Sequence, residues 1–244
     1  MSVKTLFLVL TVVFIAVLGA PGFMLFLLAA SVSPVPESGP APVPSGGDGG
    51  ATPPPEVLAA DQAASAAIGA IVSGCVVPDW VLLAVGKVES NNAAGHTILP
   101  GGEVSPPIVG PALDGSIPGT AAIPATDGGA LTGDPVWSHA VGPMQILPST
   151  WQRWGRSASG AGPPDPQNVN DAALTAAVIL CQPPGDLSDP AQLAPALERY
   201  NHSAAYVGEV LSWAAYFEAG YPGVRSTPGG AGASITPATQ PASS

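Results

Sequence analysis

The chain carries little charge, and very little of that charge is positive. Only 9% of its 244 residues are charged, and six Lys and Arg stand against 17 Asp and Glu, which gives a net charge of −11. A protein that binds nucleic acid through its phosphates needs a basic surface, so this composition excludes nucleic acid as a partner. Gly and Pro number 30 each although 46% of the residues are hydrophobic. The two compositions must therefore occupy different parts of the chain.

Residues 5–30 contain no charge at all. The run exceeds the roughly 20 residues that a helix needs to cross a bilayer, so we predict a transmembrane anchor. A cleaved secretory signal is the alternative, but its apolar core is only about 7–15 residues long. Lys4 precedes the run, and the positive-inside rule then places residues 1–4 in the cytoplasm. We expect a single-pass protein of the cell membrane with its domain outside, or a secreted one if the segment is cleaved.

Pro, Gly and Ser dominate two further segments. Residues 31–57 have few apolar side chains to bury, so we predict an extended linker that reaches up to about 80 Å from the membrane. Residues 222–244 have the same composition, which predicts a disordered tail. The segment between them, residues 58–221, is long enough for one domain with its own hydrophobic core.

The only two cysteines, Cys75 and Cys181, both lie in that domain. Disulfides form and persist outside the cytoplasm, so we predict that the two are bridged. Two buried free thiols are the alternative. A zinc site is less favoured, because His96, His139 and His202 show no ligand spacing relative to the cysteines.

Helical patterns recur along the domain. The predicted helices cover residues 57–74, 80–90, 148–154, 171–181, 189–200 and 204–220. Asp79 is placed to cap the second helix and Ser203 to cap the last. Residues 91–141 instead contain Gly or Pro every few positions and predict a long irregular loop. Because no segment alternates as a strand does, the predicted fold class is mostly α.

Glu89 is the first candidate for chemistry, since it lies at the C-terminal end of a predicted helix. The negative end of the helix dipole and apolar neighbours both raise the pKa of a carboxyl there, towards the range of a general acid. Gly86, one turn earlier, leaves room for another group to approach. The alternative is a solvated Glu at a helix end, paired with Lys87, and residue type alone favours it.

Three other polar side chains are candidates for a binding cleft. Gln145 is placed in an apolar turn, Gly-Pro-Met-Gln, just before a helix. A buried amide needs partners, and a pocket for sugar hydroxyls supplies them. Tyr200 and Asn201 fall at the junction of two predicted helices, where a phenol hydroxyl and an amide can point into one cleft. Each residue alone is more often a cap or a core residue.

The order of these motifs resembles one family. In chain order the motifs are Glu89 with Ser90, Gly-Pro-Met-Gln at 142–145, Pro-Ser-Thr-Trp at 148–151, Asp-Ala-Ala at 171–173, and Tyr-Asn at 200–201. Together they are similar to the lytic transglycosylases of the lysozyme-like type, which cut the glycan strands of bacterial peptidoglycan. The resemblance covers residues 57–220 and implies a mostly α domain with a fold like that of goose-type lysozyme.

Part of the 91–141 loop resembles one branch of that family. Ser-Pro-Pro-Ile-Val-Gly-Pro-Ala-Leu-Asp-Gly at 105–115 and Thr-Asp-Gly-Gly at 126–129 are similar to the membrane-bound lytic murein transglycosylase B type, which has an enlarged loop. We expect this loop to roof the cleft. Relatives often have a calcium-like loop before the Asp-Ala-Ala helix, but residues 157–168 lack most of the ligands, so we predict no metal and no cofactor.

The resemblance implies that Glu89 is the single catalytic acid and that Ser90, Gln145, Tyr200 and Asn201 line the cleft. Glu89 would protonate the oxygen between N-acetylmuramic acid and N-acetylglucosamine. It would then act as a base on the C6 hydroxyl of the same muramic acid, which closes a 1,6-anhydro ring without water. One carboxylate suffices for this reaction, where a glycosidase generally uses two.

Two alternatives stay open at this point. One of the carboxylates in the 91–141 loop, Glu103, Asp114, Asp127 or Asp134, would activate water and make the enzyme a muramidase. In the other alternative the domain only binds glycan, as a wall anchor or an assembly factor.

The expected partners are peptidoglycan strands, the membrane, and an envelope-spanning secretion or conjugation machine. Aromatic side chains available to stack on sugars are Trp80, Trp137, Trp151, Trp154 and Tyr206. We expect only one or two of them to contact glycan, because each is more often a core residue.

Overall fold

The structure is a computed structural model that describes residues 52–117 and 120–220. Its helices are α1 (Pro55–Ile71), α2 (Asp79–Ser90), α3 (Pro148–Trp154), α4 (Val169–Leu180), α5 (Pro190–Tyr200) and α6 (Ala204–Glu218). Two strands of two residues each, β1 (Thr97–Ile98) and β2 (Val104–Ser105), pair antiparallel inside the long loop. The predicted mostly α class is confirmed for the described residues. The small β pair was not predicted, because two residues are too short to show alternation.

Several predicted segments lie outside the described residues. They are the cytoplasmic stretch 1–4, the anchor 5–30, most of the linker 31–57, and the tail 222–244. Within the part of the chain that the structure describes, no helix is both long enough and apolar enough to span a bilayer.

Local signals fix most helix ends. Three helices begin with a proline, namely Pro55, Pro148 and Pro190. A first-turn residue has no intrahelical partner for its N–H, so proline fits there. Ser203 caps α6 as predicted, since its hydroxyl accepts the N–H of Tyr206 at 3.4 Å.

Four predicted helix starts differ from the structure by one or two residues, and among them α1 and α5 begin at Pro55 and Pro190 rather than at residues 57 and 189. Asp79 is the first residue of α2 rather than its cap, and its carboxylate accepts the adjacent N–H of Trp80 at 2.9 Å. The α4 helix begins at Val169, before the predicted start at residue 171, because the side chain of Asn168 accepts the N–H of Asn170 at 2.9 Å and caps it. Both α2 and α4 thus begin earlier than predicted, but only α4 has a side-chain cap.

The core is built around α2 and α4. Ten of the twelve α4 residues are buried, and the helix packs mainly against α1, with α3 and α5 also in contact. In α2 every residue from Val81 to Gly86 is buried, since α1 covers one side and α6 another. A helix enclosed on all sides is held rigidly. Its last turn, which carries Glu89, is therefore fixed in place by the core.

Cys75 and Cys181 form the predicted disulfide. Their Cα atoms are 6.0 Å apart, which is within the usual range, and both side chains are buried. The bond joins the α1–α2 connection to the end of α4, across 106 residues of sequence. Neither cysteine is free, so the alternatives of free thiols and of a zinc site that uses these cysteines are excluded.

Replacing both cysteines, Cys75→Ser with Cys181→Ser, will lower the free energy of unfolding by about 2–5 kcal/mol, because the unfolded chain gains freedom when a long loop is opened. Urea unfolding of the full chain measures the loss. A reducing agent should give the wild type the same loss and leave the double variant unchanged. Equal midpoints for reduced and oxidised wild type would contradict the prediction.

A second feature of the core is a carboxyl group without a partner. Asp61 on α1 is 0% exposed, and neither of its carboxyl oxygens has a hydrogen-bond partner. Burial, with a contribution from the charge of Asp79, raises the pKa of Asp61 well above its ordinary value. An unpaired carboxylate in the core is very costly, so the folded protein holds Asp61 protonated.

This proton makes stability depend on pH. The unfolded chain releases it above a pH of about 4, whereas the folded chain retains it, so stability falls as pH rises towards the folded pKa. The isosteric change Asp61→Asn removes this pH-dependent contribution to stability. Between about pH 5 and pH 7 the free energy of unfolding should therefore fall less in the variant than in the wild type. Urea unfolding at several pH values tests this, with Glu56→Gln, an exposed position on the same helix, as the control. Parallel profiles for wild type and Asp61→Asn would show that the carboxyl is not held protonated.

Candidate active site

Glu89 lies in the last turn of α2 with its side chain only partly exposed. Burial of the carboxyl raises its pKa to about 7, while the nearby Tyr206 hydroxyl lowers it. A carboxyl that titrates near neutral pH can both donate and accept a proton, as a general acid and base must. The sequence predicted a raised pKa from apolar neighbours and the helix end. In the structure its main cause is removal of the carboxyl from water.

Two stacked tyrosines lie next to Glu89. Tyr200 ends α5 and Tyr206 lies in the first turn of α6, and their ring centroids are 6.5 Å apart with an angle of 4° between the planes. Burial, together with the charge of Glu89, raises the pKa of both hydroxyls. Both therefore keep their protons and remain hydrogen-bond donors at any physiological pH.

The two hydroxyls have different roles. The hydroxyl of Tyr200 donates to the backbone carbonyl of Met144 at 2.8 Å. The hydroxyl of Tyr206 is buried and lies close enough to the Glu89 carboxyl to lower its pKa, but the two groups do not meet hydrogen-bond geometry. A buried donor without an acceptor is unfavourable.

The Gly-Pro-Met-Gln segment forms a tight turn before α3. Val141 and Ile146 bond to each other in both directions across it, at 3.0 and 3.1 Å. Gln145 has a left-handed backbone, with φ at 45°, and its side-chain amide donates to the carbonyl of Gly142 at 2.9 Å. A Cβ at Gly142 would lie 1.8 Å from the carbonyl oxygen of Pro166. Only glycine fits this position, so the motif begins with it.

Ser90 attaches this turn to the end of α2. Its hydroxyl donates to the carbonyl of Pro143 at 2.7 Å and accepts the N–H of Ala93 at 3.1 Å. The bond from Tyr200 to Met144 attaches the same turn to α5. The 142–145 turn is thus bonded both to Ser90, next to Glu89 in α2, and to Tyr200 in α5.

Gly86 allows the turn and α2 to approach each other. A Cβ there would lie 2.6 Å from Oδ1 of Asn92 and 3.5 Å from the Met144 side chain. A Cβ at Gly86 would therefore displace the buried Asn92 side chain. Gly86 was expected to leave room for another group, and in the structure the side chains of Asn92 and Met144 occupy that room.

The structure brings four of the five predicted site residues into one connected set, in which Ser90 and Tyr200 hold the turn that contains Gln145 beside Glu89. Asn201 follows the last residue of α5, and its side chain is exposed. The contacts of Ser90 are to backbone atoms, so its predicted contact with substrate stays a prediction, as do those of Gln145, Tyr200 and Asn201.

Tyr206 is the site residue whose position the sequence analysis missed. The sequence presented it only as one of several aromatics that could stack on sugars. Its position on the first turn of the helix after the Tyr-Asn motif is the signal that could have indicated a place next to Tyr200.

The loop carboxylates organise their own turns. Asp114 accepts the N–H of Ser116 at 2.8 Å, and Asp127 accepts those of Gly129 and Leu131 at 3.0 and 2.9 Å. Asp134 accepts the backbone N–H groups of two residues in a turn and bonds to a histidine ring, and Glu103 is exposed. Among the described residues no carboxylate contributes to the pKa of Glu89.

The loop that precedes α4 is organised by Asp171. This residue is 8% exposed, and its carboxylate accepts the N–H groups of Ala158 at 2.7 Å and of Asp165 at 2.9 Å. Across residues 52–117 and 120–220, no cluster of three or more His, Cys, Asp or Glu could hold a metal ion.

No model of a known protein family, no curated protein and no solved structure matches the chain. The family resemblance therefore rests on the motifs and their order.

The geometry around Glu89 predicts the effect of removing the Tyr206 hydroxyl. Because this hydroxyl lowers the pKa of Glu89, Tyr206→Phe should raise that pKa above about 7. A ¹³C NMR titration of the Glu side-chain carboxyls in the full chain measures the shift, with Glu89→Gln to assign the signal.

Tyr200→Phe is the matched control, since its hydroxyl donates to Met144. We expect a smaller change in the Glu89 pKa from this variant. A downward shift in Tyr206→Phe would mean that the hydroxyl does not stabilise the carboxylate.

Proposed function

We propose that the protein is a lytic transglycosylase that cleaves the β-1,4 bond between N-acetylmuramic acid and N-acetylglucosamine in peptidoglycan. The observation that carries this proposal is Glu89, a partly exposed carboxyl with a pKa of about 7 at the end of a rigid helix. The motifs around it resemble those of that family in the same order. The mostly helical domain is compatible with the lysozyme-like fold that the resemblance implies.

The reaction uses the two protonation states of Glu89 in sequence. The protonated carboxyl gives its proton to the glycosidic oxygen, the bond from that oxygen to C1 of muramic acid breaks, and positive charge develops at C1. The carboxylate then takes the proton of the C6 hydroxyl, and the freed oxygen bonds to C1. The ring closes, and Glu89 ends the cycle protonated as it began.

The surrounding side chains support each half of this cycle. Burial favours the neutral acid before cleavage, and the Tyr206 hydroxyl is placed to stabilise the carboxylate formed after it. The proposed roles of Ser90 and Tyr200 are to hold the 142–145 turn, while Gln145 and Asn201 contact the glycan.

The chemistry of a single carboxylate favours the transglycosylase over a muramidase. A retaining glycosidase places its two carboxyls about 5 Å apart, and an inverting one about 6.5–9.5 Å apart. At the shorter separation two carboxyls would raise each other's pKa, but burial alone raises the pKa of Glu89. Asp114, Asp127 and Asp134 also accept backbone N–H groups of their own turns.

The proposal extends to the location of the enzyme. The disulfide and the uncharged segment 5–30 fit a membrane-anchored enzyme with its domain outside the cytoplasm, where peptidoglycan lies. The Pro-rich segment 31–57 would give the domain reach to the wall. An envelope-spanning secretion or conjugation machine is the proposed protein partner.

Product analysis tests the reaction. The full chain, solubilised in detergent, should release from purified peptidoglycan fragments that are lighter by one water than hydrolytic products, as mass spectrometry will show. Glu89→Gln should lower the rate at least about a hundredfold, since the amide can neither donate nor accept the proton. Glu56→Gln, an exposed carboxylate on α1, is the matched control and should retain the activity.

The other outcomes separate the alternatives. Products that carry an added water would identify a muramidase. Binding of peptidoglycan without any release would identify a recognition module, and full activity in Glu89→Gln would remove Glu89 from the mechanism.

A further inference from the structure

The ring of His139 joins two parts of the 109–141 loop. Its Nδ1 lies 2.8 Å from the backbone carbonyl oxygen of Gly110, and its Nε2 lies 3.0 Å from Oδ2 of Asp134. A carbonyl and a carboxylate can only accept hydrogen bonds, so both ring nitrogens must carry a proton. Only the imidazolium form of His139 satisfies both contacts.

The Asp134 carboxylate is held in its ionised form. Its other oxygen accepts the N–H groups of Val136 at 2.8 Å and Trp137 at 3.1 Å. The bond to His139, followed by these backbone bonds, lowers the pKa of Asp134. Asp134 is the only charged group, among the described residues, that contributes to the pKa of His139.

The segment around Gly110 leads from His139 to the candidate active site. Val109 pairs antiparallel with Val141, and the N–H of Gly110 donates to the carbonyl of Ala140 at 2.8 Å. A Cβ at Gly110 would lie 2.7 Å from Oε1 of Gln145. The Gln145 amide oxygen therefore occupies the space beside the Gly110 backbone, and no side chain fits between them.

We propose that protonated His139 is a positioning residue for Gln145, because its ring bonds to the carbonyl of Gly110, whose backbone lies beside the Gln145 amide, and this bond is lost on deprotonation while the bond from Gly110 to Ala140 remains. The part of this inference that concerns substrate rests on the proposed function. The contact itself does not.

The hydrogen bonds of the His139 ring determine how its contact with Gly110 depends on pH. Hydrogen bonding to Asp134 first, and to Gly110 second, raises the pKa of His139 above its ordinary value. The bond from His139 to Gly110 is therefore complete below the raised pKa and is lost as pH rises through it. The remaining proton stays on Nε2, since a bond to a carboxylate is stronger than one to a carbonyl. The bond to Gly110 is the one that breaks.

An NMR titration tests the contact without any substrate. In the full chain carrying Glu89→Gln, which removes the titration of Glu89, the ¹⁵N signal of the Gln145 side-chain amide should shift with the same midpoint as the His139 ring. His139→Arg, which keeps the charge and the donor, should abolish this shift. His96→Arg is the matched control, because the His96 ring also bonds to a carbonyl, that of Pro106 at 2.7 Å, and it should leave the shift unchanged.

A second variant keeps the test decisive if Arg does not fit at position 139. Asp134→Asn removes the charge that favours the imidazolium, so the midpoints of the His139 ring and the Gln145 amide should both move to lower pH, and together. A Gln145 signal that does not follow the His139 ring in either protein would overturn the proposal.

Kinetics with peptidoglycan distinguish positioning from stability. In the wild type KM should rise about two- to tenfold as His139 loses its proton, which corresponds to one hydrogen bond. In His139→Arg this rise should be absent, while the alkaline fall in kcat that Glu89 causes remains. An unchanged rise in KM would refute the proposal. If wild type releases no product although the NMR midpoints coincide, the proposed function fails and the positioning contact stands.

Discussion

The removal of the Glu89 carboxyl from water is the interaction on which the candidate site depends. It follows from the way α2 is packed, because α6 lies along the helix and covers its last turns. There, the Lys87 ammonium lies 4.7 Å from the centroid of the Trp213 ring. Burial lowers the pKa of Lys87 and raises that of Glu89, so the same packing acts on both. A carboxyl that titrates near pH 7 is thus a product of helix packing rather than of a neighbouring charge.

The backbone that follows Glu89 is strained, and the site residues hold it. Asn91, Asn92 and Ala93 have φ values of 55°, 55° and 59°, in the left-handed region. Asn tolerates this region better than Ala, so Ala93 carries most of the cost. The hydroxyl of Ser90 accepts the N–H of Ala93 and donates to Pro143, so one side chain both stabilises the strained turn and joins it to the 142–145 turn. This structural role explains why a serine follows Glu89 in the sequence.

The sequence predicted the helices well because their signals are local. Prolines in first turns and capping side chains such as Ser203 act within four residues. It did not predict the environment of Tyr206, since that depends on how α6 is rotated against α2. The bond network of His139 was missed for the same reason, because Gly110 is 29 residues away in sequence. Contacts between distant segments follow from packing, which no local pattern encodes.

Comparison of Glu89 with Asp61 shows what a raised pKa does and does not indicate. Burial raises the pKa of both carboxyls. Asp61 is completely enclosed, with no partner for either oxygen, so no substrate can reach it, and its proton only affects stability. Glu89 is partly exposed and has a phenol hydroxyl placed to stabilise its carboxylate. A general acid must be able to reach its substrate, and its carboxylate must be stabilised after it loses the proton. Of these two carboxyls only Glu89 meets both requirements.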